Sequence, residues 1–272
     1  MHSEKRGREF YLLAIFFALF VLFLYGPLSA ILILAFQGPN GGLTFPLNGL
    51  SLHWFGNLFE QQAVGDFGGA FRRSLGLGIM VMVVTVLVSL LAGLAFRRKF
   101  IGATPLFYLS VASLVVPSII ISLGIGVLFQ QLGLEPAWNT SAFGAHLTWT
   151  LPFGVLIMLA IFNRFSPSYE EAARDLGASS WQTFSNVVLP MIAPSLIGVG
   201  LFGFTLSYDE FARTLMTSGT YNTLPLEIYG MTTNVTTPVL YALGAVTTLF
   251  SFLVIAGTLG IIVYLNRRRL KD

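Results

Sequence analysis

The chain contains no cysteine among its 272 residues, which excludes disulfides and thiolate-held zinc or iron–sulfur sites. Charge is scarce as well: 10% of residues are Asp, Glu, Lys or Arg, against roughly 25% in a soluble domain. The only lysines are Lys5, Lys99 and Lys271, and none follows a glycine. A phosphate-cradling P-loop needs a Gly-Lys step, so ATP hydrolysis is not expected of this chain. No histidine pair shares ligand spacing with a carboxylate, and no G-x-S-x-G elbow occurs, so neither a metal site nor an intramembrane hydrolase is expected. His53 and His146 are read as isolated solvent-facing or interfacial side chains. What is abundant is apolar: 55% hydrophobic residues, with 25 Phe and 28 Gly. That balance describes a multi-pass membrane protein. The formal net charge of +3 comes from short basic clusters beside apolar runs, which mark topology and do not form a nucleic-acid surface.

A spanning helix needs about 20 mostly apolar residues. Six stretches qualify: Phe10–Phe36, Ser74–Phe96, Leu106–Gln131, Ala142–Phe162, Ile192–Met216 and Val239–Tyr264. The first is longer than a cleavable signal core and is read as a retained span. The fold class expected is therefore an all-α membrane protein, one transmembrane domain over residues 1–272. Six spans put both ends on one side, and basic residues decide which side. With a cytoplasmic N-terminus the inner segments hold Lys5, Arg6, Arg8, Arg97, Arg98, Lys99, Arg164, Arg174, Arg267, Arg268, Arg269 and Lys271. The outer segments hold only Arg72, Arg73 and Arg213, while the acids divide evenly. Both termini are expected in the cytoplasm. The outer segment Gln37–Arg73 begins as a Gly/Pro-rich loop, and its second half is expected along the membrane surface with Trp54 and Phe55 at headgroup depth.

Between the fourth and fifth spans, residues 163–191, the chain turns polar: "SYEEAARDLGASSWQTFSNVVLP" over Ser168–Pro190. Ser168 is placed as an N-cap with Glu171 completing a capping box. Glu170 and Glu171 suit the positive end of a helix dipole, Ala172 and Ala173 favour helix, and Gly177 suits a left-handed C-terminal position. A second amphipathic stretch follows up to Pro190. A short helix with a small-residue face can dock closely into a partner's groove.

This stretch resembles the EAA loop of permease subunits of type I ATP-binding-cassette importers. The family pattern, E-A-A, three residues, G, nine residues, I, one residue, L-P, matches Glu171, Ala172, Ala173, Gly177, Leu189 and Pro190, with Val187 for isoleucine. "FRRSLGLGIMVMVVTVLVSLLAGLAFRR" is similar to the family's second span, with Arg73 where asparagine is common; "VPSIIISLGIGVLF" and "LPFGVLIMLAIF" are similar to its third and fourth. "LSYDEFARTLMTSGTYNTLPLEIYGM" looks like the second permease subunit of spermidine/putrescine-type systems. The resemblance implies a bacterial inner-membrane subunit paired with a second homologous permease, an ATPase dimer and an extracytoplasmic solute-binding protein. Cofactors are expected only in the ATPase, as ATP and Mg. Glu170, Glu171, Ala172, Ala173, Asp175, Leu176, Gly177 and Pro190 would couple ATPase motion to the spans.

Tyr208, Asp209, Glu210 and Arg213 interrupt the fifth span. An uncompensated Asp at mid-bilayer costs about 2.5–3.5 kcal/mol on insertion scales, so these acids need a partner or water. In one reading Asp209 pairs locally with Arg213, four residues on. In the other Asp209 or Glu210 faces the solute pathway and attracts a cation, helped by the Tyr208 ring. Glu227 and Tyr229 are placed in a re-entrant or surface segment at the outer mouth. Alternatives are the same machinery carrying 4-aminobutyrate, an opine, a phosphonate, thiamine or iron(III), or a secondary transporter using the acids as an ion relay.

Overall fold

The computed structural model describes residues 7–58, 65–234 and 237–269. Lys5, Arg6 and Lys271 of the charge asymmetry, and part of the Gln37–Arg73 segment, lie outside the described residues. The protein is all-helical: among the described residues the only β-type pairing is an isolated bridge between Gln37 and Leu50. Its helices are α1 (Arg8–Leu34), α2 (His53–Asn57), α3 (Phe67–Phe96), α4 (Ala103–Ala112), α5 (Ser118–Gln131) and α6 (Ser141–Arg164). They continue with α7 (Ser168–Asp175), α8 (Ser180–Thr183), a π-turn over Phe184–Val188, α9 (Leu189–Tyr208), α10 (Leu224–Asn234) and α11 (Val239–Arg269).

Among the described residues, five helical stretches are long and apolar enough to cross a bilayer: Arg8–Leu34, Phe67–Phe96, Ser141–Arg164, Ser180–Tyr208 and Val239–Tyr264. The expected span Leu106–Gln131 is broken into α4 and α5. Pro117 sits at the break with extended ψ, lacking an N–H and holding Val116 away from helical geometry. The expected span Ile192–Met216 instead starts upstream, continuous with α8, and ends at Tyr208.

The chain divides into two compact units. In the unit formed by residues 1–65 and 230–252, Gln37 organises the loop after α1. Its side chain is fully buried, accepts from the Asn48 N–H at 2.6 Å and donates toward the carbonyl of Gly42 at 3.2 Å. Trp54, expected along the membrane surface, is covered by the loop itself. It is 8% exposed and donates to the Gly38 carbonyl at 3.4 Å, because the loop folds back over its own indole. The Tyr241 hydroxyl ties the same loop to α11 through the Leu43 carbonyl at 2.6 Å.

The other unit, residues 66–229 and 253–272, packs α3 against α6 and α9. Lipid supplies no hydrophobic drive between helices, so close approach and hydrogen bonding hold them together. Gly93 makes room for Met158 and Phe162, and Gly154 makes room for Ser89. A buried hydrogen bond joins Thr85 to Thr150 at 3.0 Å. Met158, Ile192 and Val199 centre the apolar core between these helices. Arg73 marks one end of α3, donating to Asp66 Oδ2 at 3.0 Å and to the Asn222 carbonyl at 2.7 Å. Glu227 of α10 joins this cluster through the Asp66 N–H at 3.0 Å and the Asn222 amide at 2.9 Å.

Candidate functional site

The polar stretch after α6 folds into a short helix, a tight stop and a second helix. The expected Ser168 cap does not form. Pro167 already has helical φ and ψ, so the turn opens there, where a missing N–H does no harm. The amides of Glu170 and Glu171 bond the Pro167 carbonyl. The capping box stands instead at Ser179 and Gln182, whose side chains and backbone amides bond reciprocally at 2.8 and 3.3 Å. Helix α7 ends at Gly177, which has φ +85°. The Gly177 amide bonds the Arg174 carbonyl at 2.8 Å and the Ala178 amide bonds that of Ala173 at 3.0 Å, the pairing of a Schellman stop.

This loop turns its ends outward. Leu176 is 90% exposed and Trp181 72%, with Tyr169 also exposed. Glu171, Ala172, Asp175, Gly177 and Pro190 are exposed, and Ala173 is half-buried. Glu170 differs: its carboxylate turns inward, 2.6 Å from Arg97 at the end of α3 and 3.8 Å from Arg174. The Arg97 guanidinium also lies 5.1 Å from the centre of the Phe162 ring. Thus α7 is pinned to the end of a spanning helix by one ion pair between residues 73 positions apart. Sequence reading found Glu170 but not its partner, since the arginines after α3 serve equally well as topology markers.

The second polar stretch, after α9, is sealed. Residues 210–218 form tight turns, with the Thr214 and Leu215 amides on the Phe211 carbonyl. Arg213 is 2% exposed. It pairs with Glu210 at 3.4 Å, not with Asp209, because α9 stops at Tyr208 and the helical four-residue spacing is lost. Glu210 also accepts from the Arg213 amide at 2.8 Å. The guanidinium donates to Ser118 at 2.7 Å and Thr148 at 3.2 Å, and lies 4.5 Å from the centre of the Trp149 ring. One side chain therefore ties α5, α6 and the turn together.

His146, expected at a surface, is 1% exposed beside this cluster. Its two ring nitrogens lie 2.8 Å from Ser207 and 3.0 Å from Thr214, and Thr214 in turn donates to the Glu210 carbonyl at 2.6 Å. The Met216 amide donates to Ser122 at 2.9 Å, and Ser141 donates to the Thr217 carbonyl at 2.7 Å. Hydroxyls at 118, 122, 141 and 148 in otherwise apolar helices were the available signal for this network. Tyr208 is 8% exposed, stacked on Phe204 with ring centres 5.7 Å apart, so its ring is engaged in packing. Asp209 is exposed, and no ion pair joins it among the described residues.

The comparisons with known proteins bear on both stretches. The spermidine/putrescine transport system permease protein PotC of Escherichia coli (strain K12) is 26% identical over 235 residues, 86% of this chain and 87% of that protein. The putrescine transport system permease protein PotI of the same strain is 28% identical over 215 residues, 76% of this chain and 75% of its own length. A bacterial ABC transporter involved in the import of the acidic polysaccharide alginate contains a chain of similar fold, with a TM-score of 0.61 at 19% identity over 99% of both chains. Residues 85–271 match the binding-protein-dependent transport system inner membrane component, a range that includes both polar stretches. The chain belongs to that family, the inner membrane components of binding-protein-dependent transport systems.

Proposed function

We propose that this chain is one permease subunit of an ATP-driven importer for polyamines or a similar small organic cation. It works with a second permease, an ATPase dimer that binds ATP and Mg, and an extracytoplasmic solute-binding protein. Both termini and the α7 loop face the cytoplasm, on the basic-residue asymmetry. Exposed Leu176, Glu171 and Ala172 form the surface on which an ATPase subunit docks. The Arg97–Glu170 pair carries its displacement into α3. The likeness to polyamine permeases over most of the chain is the observation that carries the substrate class.

The chemistry of the two acids supports it. Glu210 is neutralised by Arg213, which leaves Asp209 as the carboxylate available to a cation. Tyr208 contributes packing beside it. The test is co-expression with the ATPase, second permease and binding protein, followed by ATP-driven uptake of labelled putrescine and spermidine into vesicles. Asp209→Asn should lower uptake at least about tenfold, the scale of one desolvated charge contact, with the complex still assembled. An assembled complex that ignores both polyamines would overturn the substrate class and leave the importer reading standing.

A further inference from the structure

A cavity of about 580 Å³ lies between the end of α3 and the α7–α8 loop. Arg97, Arg98 and Arg174 line it, against the single carboxylate of Glu170. Three guanidiniums and one carboxylate leave two positive charges uncompensated. Arg98 makes no ion pair among the described residues, and Arg174 reaches Glu170 only at 3.8 Å.

Thr183, 3% exposed, also belongs to the wall. The π-turn begins at the next residue, and its first and last members, Phe184 and Val188, form the apolar side with Leu94. Such turns recur at functional sites.

We propose that this cavity binds the phosphate headgroup of an anionic phospholipid. The guanidiniums match a phosphodiester. The Leu94–Phe184–Val188 side takes the glycerol and the first acyl carbons. Inorganic phosphate satisfies the guanidiniums and leaves the apolar wall wet. The position also fits, since Arg97 and Arg98 directly follow a spanning helix, at headgroup depth. Supply of the lipid from the anionic inner leaflet rests on the cytoplasmic assignment of this end, made above. A lipid held here would brace the Arg97–Glu170 joint, making transport sensitive to membrane composition.

The test uses the assembled transporter in detergent, stripped of lipid, with retained lipid counted by native mass spectrometry. The probes are phosphatidylglycerol, phosphatidylcholine and inorganic phosphate. Wild type should prefer phosphatidylglycerol to phosphatidylcholine about tenfold or more, the effect expected of two surface charges. The pair Arg98→Gln and Arg174→Gln should cut that preference below about threefold, and Arg98→Lys with Arg174→Lys should keep it. Equal retention of both lipids by wild type, or an undiminished preference in the glutamine pair, overturns the proposal. Displacement of phosphatidylglycerol by millimolar phosphate would make this a free-anion site and overturn the lipid assignment. If the glutamine pair fails to fold, Arg98→Gln alone decides, because an undiminished preference there is also fatal. Orientation is tested separately in this cysteine-free chain: Lys99→Cys labelled by an impermeant maleimide from outside intact cells would sink the cytoplasmic assignment and leave detergent binding untouched.

Discussion

Two polar interruptions of an apolar chain, residues 168–183 and 209–219, are built in opposite ways. The first puts Leu176 and Trp181 into the open and holds itself by one ion pair to Arg97. The second buries Arg213 and Glu210 and gives the guanidinium a carboxylate, two hydroxyls and an indole face. One leaves its large side chains open, and the other is a joint closed on itself. A polar residue in a membrane protein thus carries no fixed meaning. Its role follows from whether its hydrogen-bonding capacity is already used.

The largest effect should come from breaking the closed joint. Arg213→Met leaves Glu210 buried without its cation, a change that costs about 3–5 kcal/mol when one partner of a buried pair is removed. Thermal unfolding of the detergent-purified protein should register that loss. Glu210→Gln combined with Arg213→Met should recover part of it, because no charge is then stranded. A single variant as stable as wild type would show that water reaches this turn and that the two regions are not opposites.

Next comes the open loop. Gly177→Asp forces a side chain into left-handed backbone, at roughly 1–2 kcal/mol, and adds charge to the docking face. Like Glu171→Lys, it should leave the protein inserted and folded, with melting lowered by no more than a few degrees, and lower ATP-driven uptake about tenfold or more through a lost ATPase contact. Co-purification of the ATPase with each variant measures this. Normal uptake by both would remove the docking role.

These two regions were unequally legible in sequence. The loop announces itself because its information is local: a glycine after a fixed interval, an acidic first turn and a terminal Leu-Pro all lie within Ser168–Pro190. The helix-rich membrane class was equally plain from apolar runs. The joint was misread because its information is distant. Arg213 chooses among Asp209, Glu210, Ser118 and Thr148, and that choice depends on where α9 ends. His146 was read as a surface residue for the same reason, its partners lying 61 and 68 positions away. The break before α5 was foreseeable from Pro117, but a long apolar run masked it.

A smaller effect should separate docking from transmission. Glu170→Gln removes the charge pair with Arg97 while leaving the exposed face of α7 unchanged. The ATPase should still co-purify, and uptake should fall only severalfold, in keeping with a partly buried ion pair at the edge of the fold worth about 1 kcal/mol. Exchanging the charges, Arg97→Glu with Glu170→Arg, should restore part of the loss. Release of the ATPase by Glu170→Gln alone would place Glu170 on the docking face.

The smallest effect belongs to Asp66 and Arg73, the pair at the other end of α3. The Arg73 hydrogen bond, followed by the Gly69 amide, holds the Asp66 carboxyl below its ordinary value of 3.8. The sign follows directly: a carboxylate whose folded-state value is lowered stabilises the fold fully above its unfolded value, and that contribution disappears as pH falls through the lowered value. Asp66→Asn can keep the N-cap bond to Gly69 but loses the charge. The Asp66 side chain is 46% exposed, so solvent screens the pair and the loss at pH 7 should be at most about 1 kcal/mol. Wild type and variant should converge in melting temperature below the ordinary aspartate range, and high salt should narrow the gap at neutral pH. A gap as large as that of Arg213→Met would mean that burial does not set the worth of a charge pair in this fold, and the contrast between the open loop and the closed joint would lose its physical basis.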